Sequence, residues 1–142
     1  MIGEMMIKEP KEYLSELGAM KPLATAANRL LVKAGLLAYV KTIYIGYELN
    51  GEMVAALYGH ADNVEVALAL EINHPSQLLV DASHLTWRTL PVSAILRTKA
   101  DLTEFEDLVN ESCERISKGS HDVMRDNDFF IKSRNERRKG LS

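Results

Sequence analysis

His60-Ala61-Asp62 places an imidazole and a carboxylate two residues apart in the turn-forming stretch Gly59 to Asn63. Such a pair supplies two metal ligands, or a base and the carboxylate that orients it. Glu65 or His84 would complete the group. A hydrolase-type enzyme using His60, Asp62 and His84 is therefore one functional reading. Against it, histidine and aspartate are common in turns, and a transition-metal site needs three or four convergent ligands. No metal is assigned from the sequence, and convergence of the three side chains is the deciding observation.

A second group lies in Asp81 to Arg88. Asp81, His84, Trp87 and Arg88, with Tyr58 from the strand before the His60 turn, have the makings of a ligand pocket. An indole beside an imidazole lines a space for a planar ligand, and an arginine pairs bidentately with a carboxylate or phosphate. The competing role for Trp87 is packing over the open end of a sheet, with His84 satisfied by backbone. Of the tyrosines, Tyr39, Tyr44 and Tyr47 have a plain role as strand residues, and only Tyr58 gains from its neighbours.

A third group is cationic. Ile131 to Gly140 holds Lys132, Arg134, Arg137, Arg138 and Lys139 against Glu136, or +4, which leaves −7 on the rest of a chain whose total is −3. Phosphate binding by such a run would weaken steeply with salt. The acidic body argues against a dedicated nucleic-acid protein, and aromatic residues, at 6%, are too few for a broad base-stacking platform.

Other chemistries find no foothold. The single cysteine, Cys113, excludes an intramolecular disulfide framework and a cysteine-rich zinc site. Its place between Val109 and Ile116 on a helix predicts a buried structural thiol. The sequence has no glycine-rich phosphate loop, no Gly-x-Ser-x-Gly elbow and no His-Glu-x-x-His, and no cofactor is assigned. No apolar run approaches the roughly 18–20 residues of a membrane span, and Met1 to Pro10 lacks the charge and apolar pattern of a secretory signal. A cytoplasmic protein without membrane contact is expected.

The elements that position these groups are organised around residues 40 to 70. Val40 to Leu49 reads as a strand, with Ile43, Ile45 and Tyr47 on one face and Thr42, Tyr44 and Gly46 on the other. Asn50-Gly51 supplies the two positive-φ positions of a type I′ hairpin turn. Glu52 to Tyr58 returns antiparallel, and Val64 to Leu70 alternates as a half-buried strand. Leu78 to Ala82 is a short strand or helical turn, His84 to Leu90 a loop or edge segment, and Val92 to Thr98 a further strand.

Helices flank this region. Leu23, Ala26, Ala27, Leu30, Leu31, Ala34 and Leu37 form one apolar stripe over Pro22 to Leu37. Leu102, Phe105, Leu108, Val109, Ser112 and Ile116 form another, with Asp101 as its cap, Glu104 three residues on, and Gly119 as its stop. Met1 to Gly18 has two readings: a shorter helix starting near Pro10 and ending at Gly18, with Tyr13, Leu14 and Leu17 as its apolar side, or a loosely ordered terminus. The predicted class is α+β: one domain over 1–142, with an N-terminal extension (1–20), a core (22–118) and a polar, basic tail (120–142). The core is an antiparallel sheet of about five strands flanked by an N-terminal and a C-terminal helix.

Tyr39-Val40-Lys41, Leu57-Tyr58-Gly59-His60, Val64-Glu65-Val66-Ala67-Leu68 and Asp81-Ala82-Ser83-His84-Leu85-Thr86-Trp87, followed by a strand and the helix Leu102 to Ile116, occur in an order that resembles the YdhG-like small α+β domains. The resemblance covers roughly Pro22 to Lys118. It implies a sheet flanked by helices and brings no catalytic residue with it. The favoured functional expectation is a non-enzymatic ligand- or protein-binding module, using the sheet and Asp81 to Arg88. The hydrolase and the nucleic-acid-associated protein are the alternatives. The methionine-rich N-terminus and Phe129-Phe130-Ile131 are apolar groups outside the expected core, which makes a homodimer the expected assembly.

Overall fold

A computed structural model describes residues 9–118. The Met1 to Ile7 segment, the Gly119 stop, the Phe129-Phe130-Ile131 cluster and the cations from Lys132 to Lys139 lie outside the described residues. The chain forms α1 (Pro10–Ser15), a 3-10 turn (Gly18–Met20), α2 (Lys21–Lys33), β1 (Leu37–Val40), β2 (Ile45–Leu49), β3 (Glu52–Gly59), β4 (Val64–Leu68), β5 (Leu79–Asp81), β6 (Val92–Leu96) and α3 (Asp101–Ser117). The strands make one antiparallel sheet in the order β1-β2-β3-β4-β6-β5. The fold is α+β, with six strands where about five were expected. Among the described residues no helix is long and apolar enough to cross a membrane.

The additional strand comes from two corrections at the start of the sheet. The helix expected to reach Leu37 stops at Lys33, because Gly35 takes φ +99° and the Leu36 N–H bonds back to the Leu31 carbonyl. A left-handed glycine just past the last turn ends a helix in this way. Leu37 leaves the stripe and is 70% exposed. The strand expected over Val40 to Leu49 is then broken by a tight reversal at Thr42-Ile43, closed by the Lys41 N–H on the Tyr44 carbonyl at 2.8 Å. Ile43 is thrown out to 67% exposure instead of sharing a face with Ile45 and Tyr47.

The Asn50-Gly51 turn forms as expected, with both residues at positive φ, 53° and 82°. A register shift at Tyr47/Glu48 makes a bulge between β2 and β3, so that Ala55 pairs with Tyr47 and Met53 with Glu48. Met53 thereby comes within 3.6 Å of the Tyr39 hydroxyl at its sulfur.

The two faces of the sheet differ sharply. Register places Ile45, Tyr47, Ala55, Leu57, Val64, Val66, Leu68, Val92, Ala94 and Leu96 on one face, all buried. This face carries the three helices. Leu23, Ala24, Ala27 and Leu31 of α2 join Phe105, Leu108, Val109 and Ile116 of α3 in a single core with it. Burying a Leu- or Phe-sized side chain contributes roughly 1.5–3 kcal/mol. Polar anchors fix the helices in place. The Ser112 hydroxyl accepts from Ala69 N–H at 3.0 Å and donates to the Val54 carbonyl at 3.2 Å. The Tyr13 hydroxyl donates to the Ile43 carbonyl at 2.8 Å and accepts from Gly59 N–H at 3.2 Å. Gly59 has no room for a side chain because Leu17 lies against its Cα.

Asp101 does not cap α3 as expected. It is the first helical residue, and its carboxylate takes the N–H groups of Arg97 and Thr98 at 2.8 and 3.1 Å, so it secures the loop entering the helix. Glu104 bonds the Ser76 hydroxyl rather than the helix start. Cys113 is half-buried, and burial pushes its thiol pKa up.

Candidate functional site

The opposite face of the sheet carries Tyr39, Gly46, Ala56, Tyr58, Glu65, Ala67, Ser93 and Ile95. Small residues dominate its centre. That leaves space for the ten-residue excursion from Ala82 to Pro91, pinned at its base by Ala82 N–H on the Pro91 carbonyl at 2.9 Å. The excursion carries His84 and Trp87 to this side. The Trp87 indole N–H donates to the Tyr58 hydroxyl at 2.8 Å. Tyr44 stands edge-on to Trp87, with centroids 5.3 Å apart, and tilts against Tyr58 at 5.5 Å. The imidazole of His60 stacks parallel to Tyr58 at 6.5 Å.

Glu65 is the hub. It is 4% exposed on a central strand. Its Oε1 lies 2.9 Å from Nε2 of His60 and its Oε2 lies 2.6 Å from Nε2 of His84. The two imidazoles are about half exposed, at 45% and 53% of their side-chain surface. Burial alone pushes the Glu65 carboxyl up. Ser93, His60 and His84 together overcome it and hold the pKa below the ordinary carboxylate value. The Ser93 hydroxyl contributes by proximity: it is fully buried on the same face and has no hydrogen-bond partner of normal geometry. An ionised carboxylate only accepts, so both Nε2 atoms donate to it. Each neutral imidazole is thereby fixed as the Nε2–H tautomer, with the Nδ1 lone pair left for another partner.

The structure joins only some of the candidate residues. His60 and His84 meet at Glu65. Asp62 sits exposed at the tip of its turn, where it accepts from Asn63 Nδ2 at 2.8 Å, and no contact links it to either histidine. His84 is satisfied by the Glu65 carboxylate and not by backbone. Trp87 and Tyr58 are bonded to each other. Asp81, at the end of β5, accepts from Ser83 N–H at 2.6 Å. Its carboxyl is lowered chiefly by Ser83, with a smaller contribution from the nearby His84. Arg88 is exposed next to Trp87 and has an interaction of its own. The described residues contain no group of three or more His, Cys, Asp or Glu side chains arranged to hold a metal ion.

A hollow of about 330 Å³ lies elsewhere, on α1 and α2, lined by Lys11, Leu14, Ser15, Lys21, Thr25 and Asn28. None of these residues belongs to the Glu65 cluster. The hollow has no fixed pair of titratable groups among its lining residues, so the chemistry points to the cluster.

Sequence reasoning gave Glu65 only a supporting place. A glutamate alternating with apolar residues reads as solvent-facing, and its burial depends on the loop that carries His84, nineteen residues further on. The available signal was Ala67 beside it, a small residue that lets another segment approach closely. No family profile, curated protein or solved structure matches this chain.

Proposed function

We propose that this protein is a non-enzymatic ligand- or protein-binding module, and that its contact surface is the sheet face turned away from the helices. The observation that carries this reading is the buried Glu65 carboxylate holding two half-exposed imidazoles, His60 and His84, beside the Tyr44–Tyr58–Trp87 group. A fold of this size gains little stability from half-exposed ionisable pairs. What the arrangement supplies is orientation: two ring nitrogens and an aromatic wall held in fixed relation by a rigid strand. The hydrolase alternative places Asp62 with the two histidines, and Asp62 makes its contact with Asn63 instead. The YdhG-like resemblance of the sequence brings no mechanism to this reading.

Trp87 is the only tryptophan, so its fluorescence reports on this surface alone. Titration with a panel of charged and aromatic metabolites, read by Trp87 emission and by imidazole NMR signals, tests the proposal. Saturable changes at Trp87 and at both histidines are expected for at least one class of probe. A panel that leaves all three unmoved contradicts the reading.

A further inference from the structure

We infer that the ligand group taken at this surface is a cation with hydrogen-bond donors, a guanidinium or a primary ammonium, on a small molecule. The inference rests on the binding-module reading above and specifies its occupant. With both imidazoles neutral, Glu65, His60 and His84 together carry one negative charge and present two Nδ1 acceptors and no exposed ring donor, because both Nε2 protons are spent on the carboxylate. Asp81 adds a second carboxylate within electrostatic range of His84, and its Oδ1 already has the Ser83 N–H. The aromatic rings present π faces, which attract cations. On the same face, near Glu65, the fully buried Ser93 hydroxyl is a polar atom without a partner of normal geometry.

The patch already shows this preference on one flank, where the Lys41 ammonium lies 5.6 Å from the centroid of the Tyr39 ring. Beside the tyrosine and serine hydroxyls, which both donate and accept, the polar groups described for this face and its loops are carboxylates, imidazole acceptors and π faces. The nearby cations are Lys41, placed on Tyr39, and Arg88, engaged in an interaction of its own. An anionic ligand would have to displace the histidine protons from Glu65 or bind beside two carboxylates. A cation meets neither obstacle.

The test uses the full chain at pH 8, at constant ionic strength, with argininamide, its neutral isostere citrullinamide (both acetylated on the α-nitrogen, so that only the guanidinium is charged), and inorganic phosphate as probes. The readouts are Trp87 fluorescence and the ring signals of His60 and His84. Argininamide is expected to bind at least about tenfold more tightly than citrullinamide, with phosphate inert. Glu65→Gln, which keeps the side-chain shape, is expected to abolish the difference. Asp81→Asn, at an exposed position where the amide oxygen can still accept from Ser83 N–H, is expected to weaken argininamide about two- to threefold, and this variant decides the matter if Glu65→Gln does not fold. Equal binding of argininamide and citrullinamide overturns the inference. Phosphate moving the three reporters in place of argininamide also overturns it, but leaves the binding-module reading standing. If no probe moves them, both fall.

Discussion

The two faces of the sheet are built on different physical grounds. The helix-covered face is a continuous apolar surface in which each residue adds area, and its polar contacts, such as those of Ser112 and Tyr13, serve to position helices. The opposite face has glycine, alanine and serine at its centre, and groups from loops reach it to meet strand residues: Trp87 with Tyr58, His84 and His60 with Glu65. Area makes the first face stable and tolerant of rearrangement. Pairwise geometry makes the second face specific, because each polar partner has one place to go.

The largest expected effect is therefore on the covered face. Phe105→Ala, at a fully buried position, should cost about 3–5 kcal/mol in urea unfolding. Glu65→Ala should cost less, about 1–3 kcal/mol, yet should release His60, His84 and the Ala82 to Pro91 excursion together. A Glu65→Ala loss as large as that of Phe105→Ala would mean that the second face also stabilises by bulk. Gly46→Ala, under the Tyr39 ring, should cost about 1 kcal/mol and displace Tyr39 and Lys41, read by hydrogen exchange in β1. Asp62→Asn should change stability by no more than about 0.5 kcal/mol and leave the histidine signals in place. A clear effect there would restore Asp62 to the site.

The same comparison has a pH signature. The folded Glu65 pKa lies below its unfolded value. Its ionised form therefore contributes stability that is present above the ordinary carboxylate value and is lost as pH falls through the lower, folded one. The stability difference between wild type and Glu65→Gln should shrink on acidification below about pH 4.5. Phe105→Ala should show no such convergence with wild type.

How much of this was legible in the sequence follows the same division. Asn50-Gly51, the alternation of Val64 to Leu70 and the stripe from Leu102 to Ile116 are local patterns, and the turn, the strand and the helix form where those patterns lie, with the strand ending at Leu68. The Thr42-Ile43 reversal was invisible because neither residue carries a turn preference, so one strand was read where a hairpin forms. Asp101 was placed one position out in role because the N–H groups it accepts belong to the preceding loop. The site was half legible. The histidines and Trp87 stood out by type, but their meeting point, Glu65, depends on two loops folding onto one strand. Sequence spacing carries no record of that convergence.

The most direct test of the account is the state of the two imidazoles. Proton–nitrogen NMR of the native chain at pH 8 should show His60 and His84 as Nε2–H tautomers, with ring N–H protons protected from exchange by Glu65, and both should lose that protection together in Glu65→Ala. Ring protons that exchange freely in the native protein, or a protected pair that survives removal of Glu65, would contradict it.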